Sequence, residues 1–369
     1  MKVMTIGGIR PDWINLEPVI KELDKWLGGD HIVVHTGQHY DYNMDKIFFD
    51  ELKIRDPDYF CEVGSGTLSY QRGETIIKVG EFINKFEPDL VIGFSDANPV
   101  LGCIAAATRG IKIMHIESGM RSNDARMPEE YNRRMIDHIS DILFCPTEIA
   151  ESNLLHEDIS QHKIFRASKL IIDVLTKFDK EIDERKRDVL YKFGLSKGKY
   201  FLSTEHRPEN VEDKKNMANI LEAFNIITAI YDIPLLFVAH PRTQAAIKKF
   251  KLTLPKKVKM IDYIGFLDFS ALEKNCFMGI TDSGTVEEDL CWFRKPCVTT
   301  RISTERPETE FVGANIVSGL DAKDIVKCVE MMNERKTDWH IPYYEGTTKR
   351  IVAILKEKED EIMQPKKWW

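Results

Sequence analysis

Short apolar runs that stop at polar or charged residues and give way to helical segments recur along this chain. No other feature narrows the fold as much. Lys2 to Ile6 ends in Gly7-Gly8-Ile9-Arg10-Pro11, His31 to His35 in Thr36-Gly37-Gln38-His39, Leu90 to Phe94 in Ser95-Asp96-Ala97-Asn98, and Ile111 to Ile116 in Glu117-Ser118-Gly119. Ile142 to Cys145 and Ile164 to Phe165 are two shorter runs. Between them lie segments with apolar residues at helical spacing. One carries Ile14, Val19, Ile20 and Leu23; another, Ser69 to Phe86, has Ile76, Ile77, Val79 and Ile83 expected inward. Continuous apolar runs read as strands buried on both faces. Alternation of such strands with helices predicts a parallel sheet covered on both sides. Ligands of these sheets bind beyond the carboxyl ends of the strands. Arg10, Gln38, His39, Asp96 and Glu117 all fall there, and a sheet built only for stability has no need of charge at successive strand exits.

Residues 178–199 are highly charged, with acids and bases alternating and apolar residues at helical spacing. They read as a solvated helix near a domain boundary. A second strand–helix series follows: Tyr200 to Ser203 ends at Glu205-His206-Arg207, Leu235 to Val238 at His240-Pro241-Arg242, and Val258 to Ile261 leads to Gly265 through Phe269. The last helix, Thr347 to Lys356, is amphipathic and is expected to pack back on the first domain. The division predicted is 1–172, completed by 346–369, and 173–345.

The most informative stretch of the second series is 276–308. Phe277 to Ile280 is a strand that breaks at Asp282-Ser283-Gly284, and Val286 to Leu290 starts an acidic helix. A strand, a Ser-Gly turn and a helix N-terminus present free backbone N–H groups and a positive dipole end, an anion seat suited to phosphate. Glu287, Glu288 and Asp289 lie one turn further in, where a carboxylate can take a ribose diol. Cys297 to Thr300 then delivers Arg301 and Arg306 to the same edge.

Composition removes several classes. The 369 residues are 43% hydrophobic and 30% charged, as in soluble globular proteins, and suffice for two domains. A net charge of −7 with no basic stripe argues against nucleic acid. No apolar run is long enough to span a membrane. The N-terminus reads as a strand start, with no signal peptide. Seven cysteines without a C-x-x-C pair read as buried free thiols in a reducing cytoplasm. No His, Cys and Asp cluster has metal-ligand spacing, and the reading calls for no cofactor.

With these motifs in order, the chain resembles the non-hydrolysing UDP-N-acetylglucosamine 2-epimerases and their relatives acting on modified UDP-sugars. The match runs from residue 1 to about 355. It comprises G-x-R-P at 8–11, H-T-G-Q-H at 35–39, E-x-G-x-R at 117–121, P-E-E-x-N-R at 128–133, S-D-I-L-F-C-P-T at 140–147, E-H-R-x-E-N at 205–210, H-P-R-T at 240–243, T-D-S-G at 281–284, R-K-P at 294–296 and T-E-R-P-E at 304–308. The resemblance implies an α/β, GT-B-like fold of two Rossmann-type parallel-sheet domains facing across a cleft, and a homodimer. It implies inversion at C2 of the sugar by elimination and re-addition of UDP. Asp96, Glu117 and Glu129 align with the family's catalytic acids. Arg10, Arg133, His206 and Arg306 align with groups that stabilise the departing diphosphate, His206 being counted with the catalytic residues. Arg207 joins the UDP contacts. Ser283, Gly284 and Thr285 are implied to hold phosphate, Glu288 or Asp289 the ribose, and Phe269 to stack near uracil. Gln38, His39 and His240 line the two sides.

The chain departs from the family pattern at four places. Asn15 stands where a Lys or Arg is usual, Ser95-Asp96-Ala97 replaces G-D-T, Thr285 replaces a second Gly, and Ser168-Lys169 replaces G-N. The H-T-G-Q-H…F-F segment is similar to relatives that take diacetamido-uronic or 6-deoxy sugars. A GT-B glycosyltransferase would share the 276–308 site but needs one base and an acceptor groove. A hydrolysing epimerase, which releases free sugar and UDP, and a catalytically silent binding protein would carry much the same motifs. A purely structural Glu117 would pair with Arg121 or Arg133.

Overall fold

The computed structural model describes residues 1–37 and 39–366, with side chains throughout except at 39–45. The chain forms two compact units, Met1–Thr176 with Tyr343–Trp369, and Lys177–Pro342.

In the first unit the apolar runs become strands β1 (Val3–Gly7), β2 (His31–His35), β3 (Tyr59–Phe60), β4 (Leu90–Phe94), β5 (Lys112–Ile116), β6 (Ile142–Cys145) and β7 (Ile164–Arg166). They pair in parallel in the order β3-β2-β1-β4-β5-β6-β7. The order reverses between β1 and β4, whose residues are all buried. Helix Arg10–Leu27 leaves β1 with Pro11 in its first turn and buries Trp13, Leu16, Val19, Ile20 and Leu23. Each such side chain contributes about 1.5–3 kcal/mol of burial. Helix Leu68–Phe86 buries Val79 and Ile83, but Ile77, expected inward, is 57% exposed. It lies about 100° around the helix from Ile76 and cannot share the face of Val79 and Ile83. Helix Thr347–Glu357 packs against Arg10–Leu27, as its amphipathic pattern suggests, with Ile351 and Leu355 buried.

The second unit holds β8 (Phe201–Thr204), β9 (Leu235–Val238), β10 (Val258–Ile261), β11 (Met278–Thr281), β12 (Cys297–Thr299) and β13 (Asn315–Val317). These are parallel in the order β10-β9-β8-β11-β12-β13, reversing between β8 and β11. Phe201, Phe224, Phe237, Met278 and Ile280 form the centre of its core. The charged segment is helix Asp179–Phe193, which packs on helix Phe266–Asn275, where Lys274 meets Asp179 and Asp183 at 2.6 and 2.9 Å. All seven cysteines are free and buried. Burial pushes the thiols of Cys61, Cys103, Cys145, Cys276 and Cys291 up to about 12, which leaves them unreactive. No helix among the described residues is long and apolar enough to cross a membrane.

Candidate active site

The carboxyl ends of β1 and β4 flank the reversal of the first sheet, so the residues just beyond them are brought together. Helix Arg10–Leu27 begins at once, and Asp12 turns back in its first turn. Its Oδ2 accepts from the N–H groups of Gly8 at 2.9 Å and Ile9 at 3.2 Å, while Oδ1 is buried without a hydrogen-bond partner. Burial, partly offset by those two N–H groups, lifts the Asp12 carboxyl to about 7, and the charges of Asp96 and Glu117 add to the rise. Arg10 lies 5.3 Å over the Phe48 ring. Asn15, at the position where a cation is usual, donates to the Pro11 carbonyl at 2.8 Å.

Beyond β4, Asp96 pairs with Arg133 of helix Pro128–Ile139. Arg133 is buried and also reaches Glu130 Oε2 at 2.8 Å. Glu130 accepts from Ser122 N and Oγ at 3.0 Å each. These contacts outweigh burial and hold Glu130 below the usual carboxylate range. Glu129, the expected acid, is the half-buried neighbour; adjacent helical residues point about 100° apart, and it is Glu130 that faces inward.

Beyond β5 the chain turns through Glu117 at φ 68° and Gly119 at φ 77°. A Cβ on Gly119 would strike the Ala150 carbonyl, so both the left-handed φ and the close approach require glycine there. Glu117 is 7% exposed, and its Oε1 lies 2.9 Å from Nζ of Lys169, which is fully buried. The cation 2.9 Å from Glu117 is Lys169, and Arg121 is engaged elsewhere. Arg121 meets Asp137 at 2.8 Å and Glu157 at 2.6 Å, and Arg133 is held by Asp96 and Glu130. Sequence reasoning noted Lys169 only as a departure from the family pattern and missed both its role and that of Asp12. Gln38 and the side chain of His39 lie outside the described residues.

In the second unit the exits of β8 and β11 meet in the same way. Asp282 is fully buried and accepts from the backbone N–H groups of His206 at 2.9 Å and Arg207 at 2.8 Å. Its Oδ1 lies 2.9 Å from His206 Nδ1. Ser283 caps helix Gly284–Trp292, and the N–H groups of Gly284, Thr285 and Val286 donate to no group among the described residues. This is the geometry of an anion seat. A Cβ on Gly284 would strike the Arg306 guanidinium, so glycine lets Arg306 lie against the helix start. The Thr285 and Ser283 hydroxyls are 3.1 Å apart.

Arg306 Nε donates to Glu288 Oε1 at 2.6 Å. Asp289 is buried with Oδ1 unpartnered, and burial followed by the charge of Glu288 raises it well above the carboxylate range. Arg207 reaches Glu305 at 3.3 Å. His240 Nδ1 accepts from Arg242 N at 3.0 Å and caps helix Pro241–Phe250, with its ring edge-on to Tyr263. Phe269 is half-buried on helix Phe266–Asn275. Among the described residues no group of three or more His, Cys, Asp or Glu could hold a metal ion.

Each unit thus gathers its charged groups at the reversal of its own sheet, carboxylates in the first and an anion seat in the second. The family model for UDP-N-acetylglucosamine 2-epimerase matches residues 21–356. The chain belongs to this family. It is 44% identical to the UDP-N-acetylglucosamine 2-epimerase of Methanocaldococcus jannaschii over 363 residues, covering 96% of this chain and 99% of the relative. The crystal structure of the Methanocaldococcus jannaschii UDP-GlcNAc 2-epimerase in complex with UDP-GlcNAc and UDP superimposes with a TM-score of 0.91 at 43% identity, covering 97% of this chain and 100% of that one. The UDP-2,3-diacetamido-2,3-dideoxy-D-glucuronate 2-epimerase of Pseudomonas aeruginosa is 38% identical over 88% of this chain and 90% of its own. The chain thus has the α/β, GT-B-like class of fold, with one Rossmann-type parallel sheet in each unit.

Proposed function

We propose that this protein is a non-hydrolysing UDP-N-acetylglucosamine 2-epimerase that inverts C2 of UDP-GlcNAc, or of a substituted UDP-N-acetylhexosamine, by eliminating UDP and adding it back. The observation that carries the reading is Glu117, a carboxylate 7% exposed at the carboxyl end of a central strand and ion-paired with buried Lys169. A positioned carboxylate in a largely dry setting is the group that proton abstraction beside a carbon–oxygen bond requires. The Methanocaldococcus jannaschii relative, bound to UDP-GlcNAc and UDP, supports the substrate.

Glu117 takes the C2 proton, the C–H electron pair becomes a C1=C2 double bond, and the C1–O bond breaks to release UDP. In the return step a carboxyl group, Asp96 or Glu129, delivers a proton to the opposite face of C2 while the diphosphate oxygen re-forms its bond to C1. Charge on the departing diphosphate is stabilised by Arg10, Arg133, His206, Arg207 and Arg306. Ser283, Gly284 and Thr285 hold phosphate at the helix start. Glu288 or Asp289 takes the ribose, Phe269 lies by the uracil, and His240 lines the second-domain side. Atoms balance without metal or cofactor.

Incubation with UDP-GlcNAc in D2O, followed by NMR, tests this. Deuterium at C2 of both epimers with UDP retained is expected. Free sugar plus UDP would indicate a hydrolysing enzyme, and transfer only on adding an acceptor a glycosyltransferase. Ser283→Asp puts a carboxylate in the anion seat and should abolish UDP binding by calorimetry; unchanged affinity would remove the phosphate assignment.

A cytoplasmic homodimer completes the reading. The seven unpaired thiols support the compartment. Helices Leu68–Phe86 and Pro128–Ile139, joined by Arg72 donating to the Pro128 carbonyl at 2.9 Å, leave Tyr70, Ile77, Tyr131 and Met135 exposed. Such apolar surface suits a second copy. Sedimentation at the monomer mass of 42.7 kDa would overturn the dimer.

A further inference from the structure

Where β8 and β11 run side by side, Asp282 and Glu205 form a buried carboxyl pair behind His206. Neither acid has a part in the reaction as drawn above. We propose that Asp282 is a positioning residue that holds the His206 imidazole in its Nδ1–H tautomer, so that every proton the ring exchanges with the substrate diphosphate passes through Nε2. The inference rests on the reading of His206 as a group acting on that diphosphate.

Three observations carry it. Asp282 Oδ1 lies 2.9 Å from His206 Nδ1. An ionised carboxylate only accepts, so Nδ1 must bear the hydrogen and the tautomer is set by this contact. Second, the carboxylate cannot swing away. It is fully buried and takes the backbone N–H groups of His206 and Arg207 and the Nδ2 of Asn210, the last at 3.1 Å; Asn210 is itself tied to the Thr300 carbonyl at 2.9 Å.

Third, the pair's negative charge sits on the member facing the imidazole. Glu205 is fully buried, bonded to Thr300 Oγ1 at 2.8 Å and to Asp282. Burial, then the charge of Asp282, pushes Glu205 well above the carboxylate range. Burial opposes ionisation of Asp282 too, but His206 and Arg207 hold it down to about 2. Two close carboxyls that divide in this way share one charge, and here Asp282 keeps it. The His206 side chain is 38% exposed, and its Nε2 makes no hydrogen bond among the described residues. Asp282 also immediately precedes Ser283 and Gly284, so one turn orients the imidazole and opens the anion seat.

The tautomer can be read without turnover. Full-length protein labelled with 15N-histidine gives ring nitrogen shifts for ten histidines; the His206 signals are those lost in His206→Gln. In the wild type the neutral ring should show a pyrrole-like Nδ1 and a pyridine-like Nε2. In Asp282→Asn the backbone N–H groups claim the amide oxygen and the NH2 faces Nδ1. The ring should then move to the Nε2–H form, and kcat should fall by about 10² or more with KM nearly unchanged.

Asp282→Asn disturbs a buried network, so the wild-type spectrum, which needs no variant, is the first arm. An Nε2–H tautomer there overturns the proposal while the role of His206 stands. An Nδ1–H tautomer in both proteins overturns the part given to Asp282. A tautomer that swings as expected while His206→Gln keeps its turnover overturns the proposal through the reading it rests on.

Discussion

In the first unit, Asp12 apart, the buried carboxylates of the site meet cations. Glu117 faces Lys169, Asp137 lies 2.7 Å from His115 and 2.8 Å from Arg121, and Glu130 shares Arg133 with Asp96. In the second unit, burial raises Glu205, Glu273, Glu287 and Asp289 alike, Glu287 to about 8, because buried acids outnumber the arginines among them. The difference teaches what each environment can do. Among these, Glu130 and Asp137 are held below the usual carboxylate range by their partners, while Glu117 and Asp96 stand at strand exits, where a carboxyl group can exchange protons with a ligand. Acids held neutral add no further negative charge near the Ser283–Gly284 helix start, where Asp282 keeps its own against His206.

The sharpest way to break the comparison is Glu117→Gln. It leaves the Lys169 ammonium buried without its carboxylate, which costs about 3–5 kcal/mol, and turnover should drop by a factor of about 10² or more. Adding Lys169→Met should return the melting temperature toward wild type and leave turnover low. A double variant as unstable as the single one would show that the pair is not the source of the loss. A single variant that keeps its turnover per folded molecule would pass the base role to Asp96 or Glu129.

Asp12 tests the exception in the first unit. Its folded value of about 7 lies above the ordinary 3.8. The folded protein therefore holds this proton more tightly than the unfolded chain does. The stabilisation is complete below pH 3.8 and is lost as pH rises through about 7. Urea unfolding should show a decline across that window, of which Asp12 accounts for on the order of 4 kcal/mol. Asp12→Asn keeps an acceptor for Gly8 and Ile9 and should flatten the decline; a variant with an unchanged pH profile would assign it elsewhere.

The smallest effect belongs to Glu273. Both its oxygens are buried without a partner, and burial followed by Asp289 keeps it neutral. Replacing a neutral, unpartnered carboxyl by an apolar chain of similar size removes a desolvated polar group. Glu273→Met should be neutral or stabilising by about 1–2 kcal/mol in denaturant melts. A loss of more than about 3 kcal/mol would mean that Glu273 is charged and paired, as Glu117 is.

The sequence by itself determined the alternation of strands and helices and the side of each sheet where charge collects. Both are local: a five-residue apolar run, too short for a helix and flanked by turn residues, is buried as an inner strand, and its last residue sets where the polar chain emerges. Asp96, Glu117, His206 and the Ser283–Gly284 helix start were legible for that reason. Tertiary structure alone decided the partners. Lys169 reaches Glu117 across 52 residues of chain, and Asp282 reaches His206 across 76. Which of Glu129 and Glu130 turns inward depended on Ser122 and Arg133, and which isoleucine of Ile76 and Ile77 faced the core on the packing of one helix face. Charge pairing and burial depend on distances between segments remote in sequence, and those distances exist only once the sheet has formed.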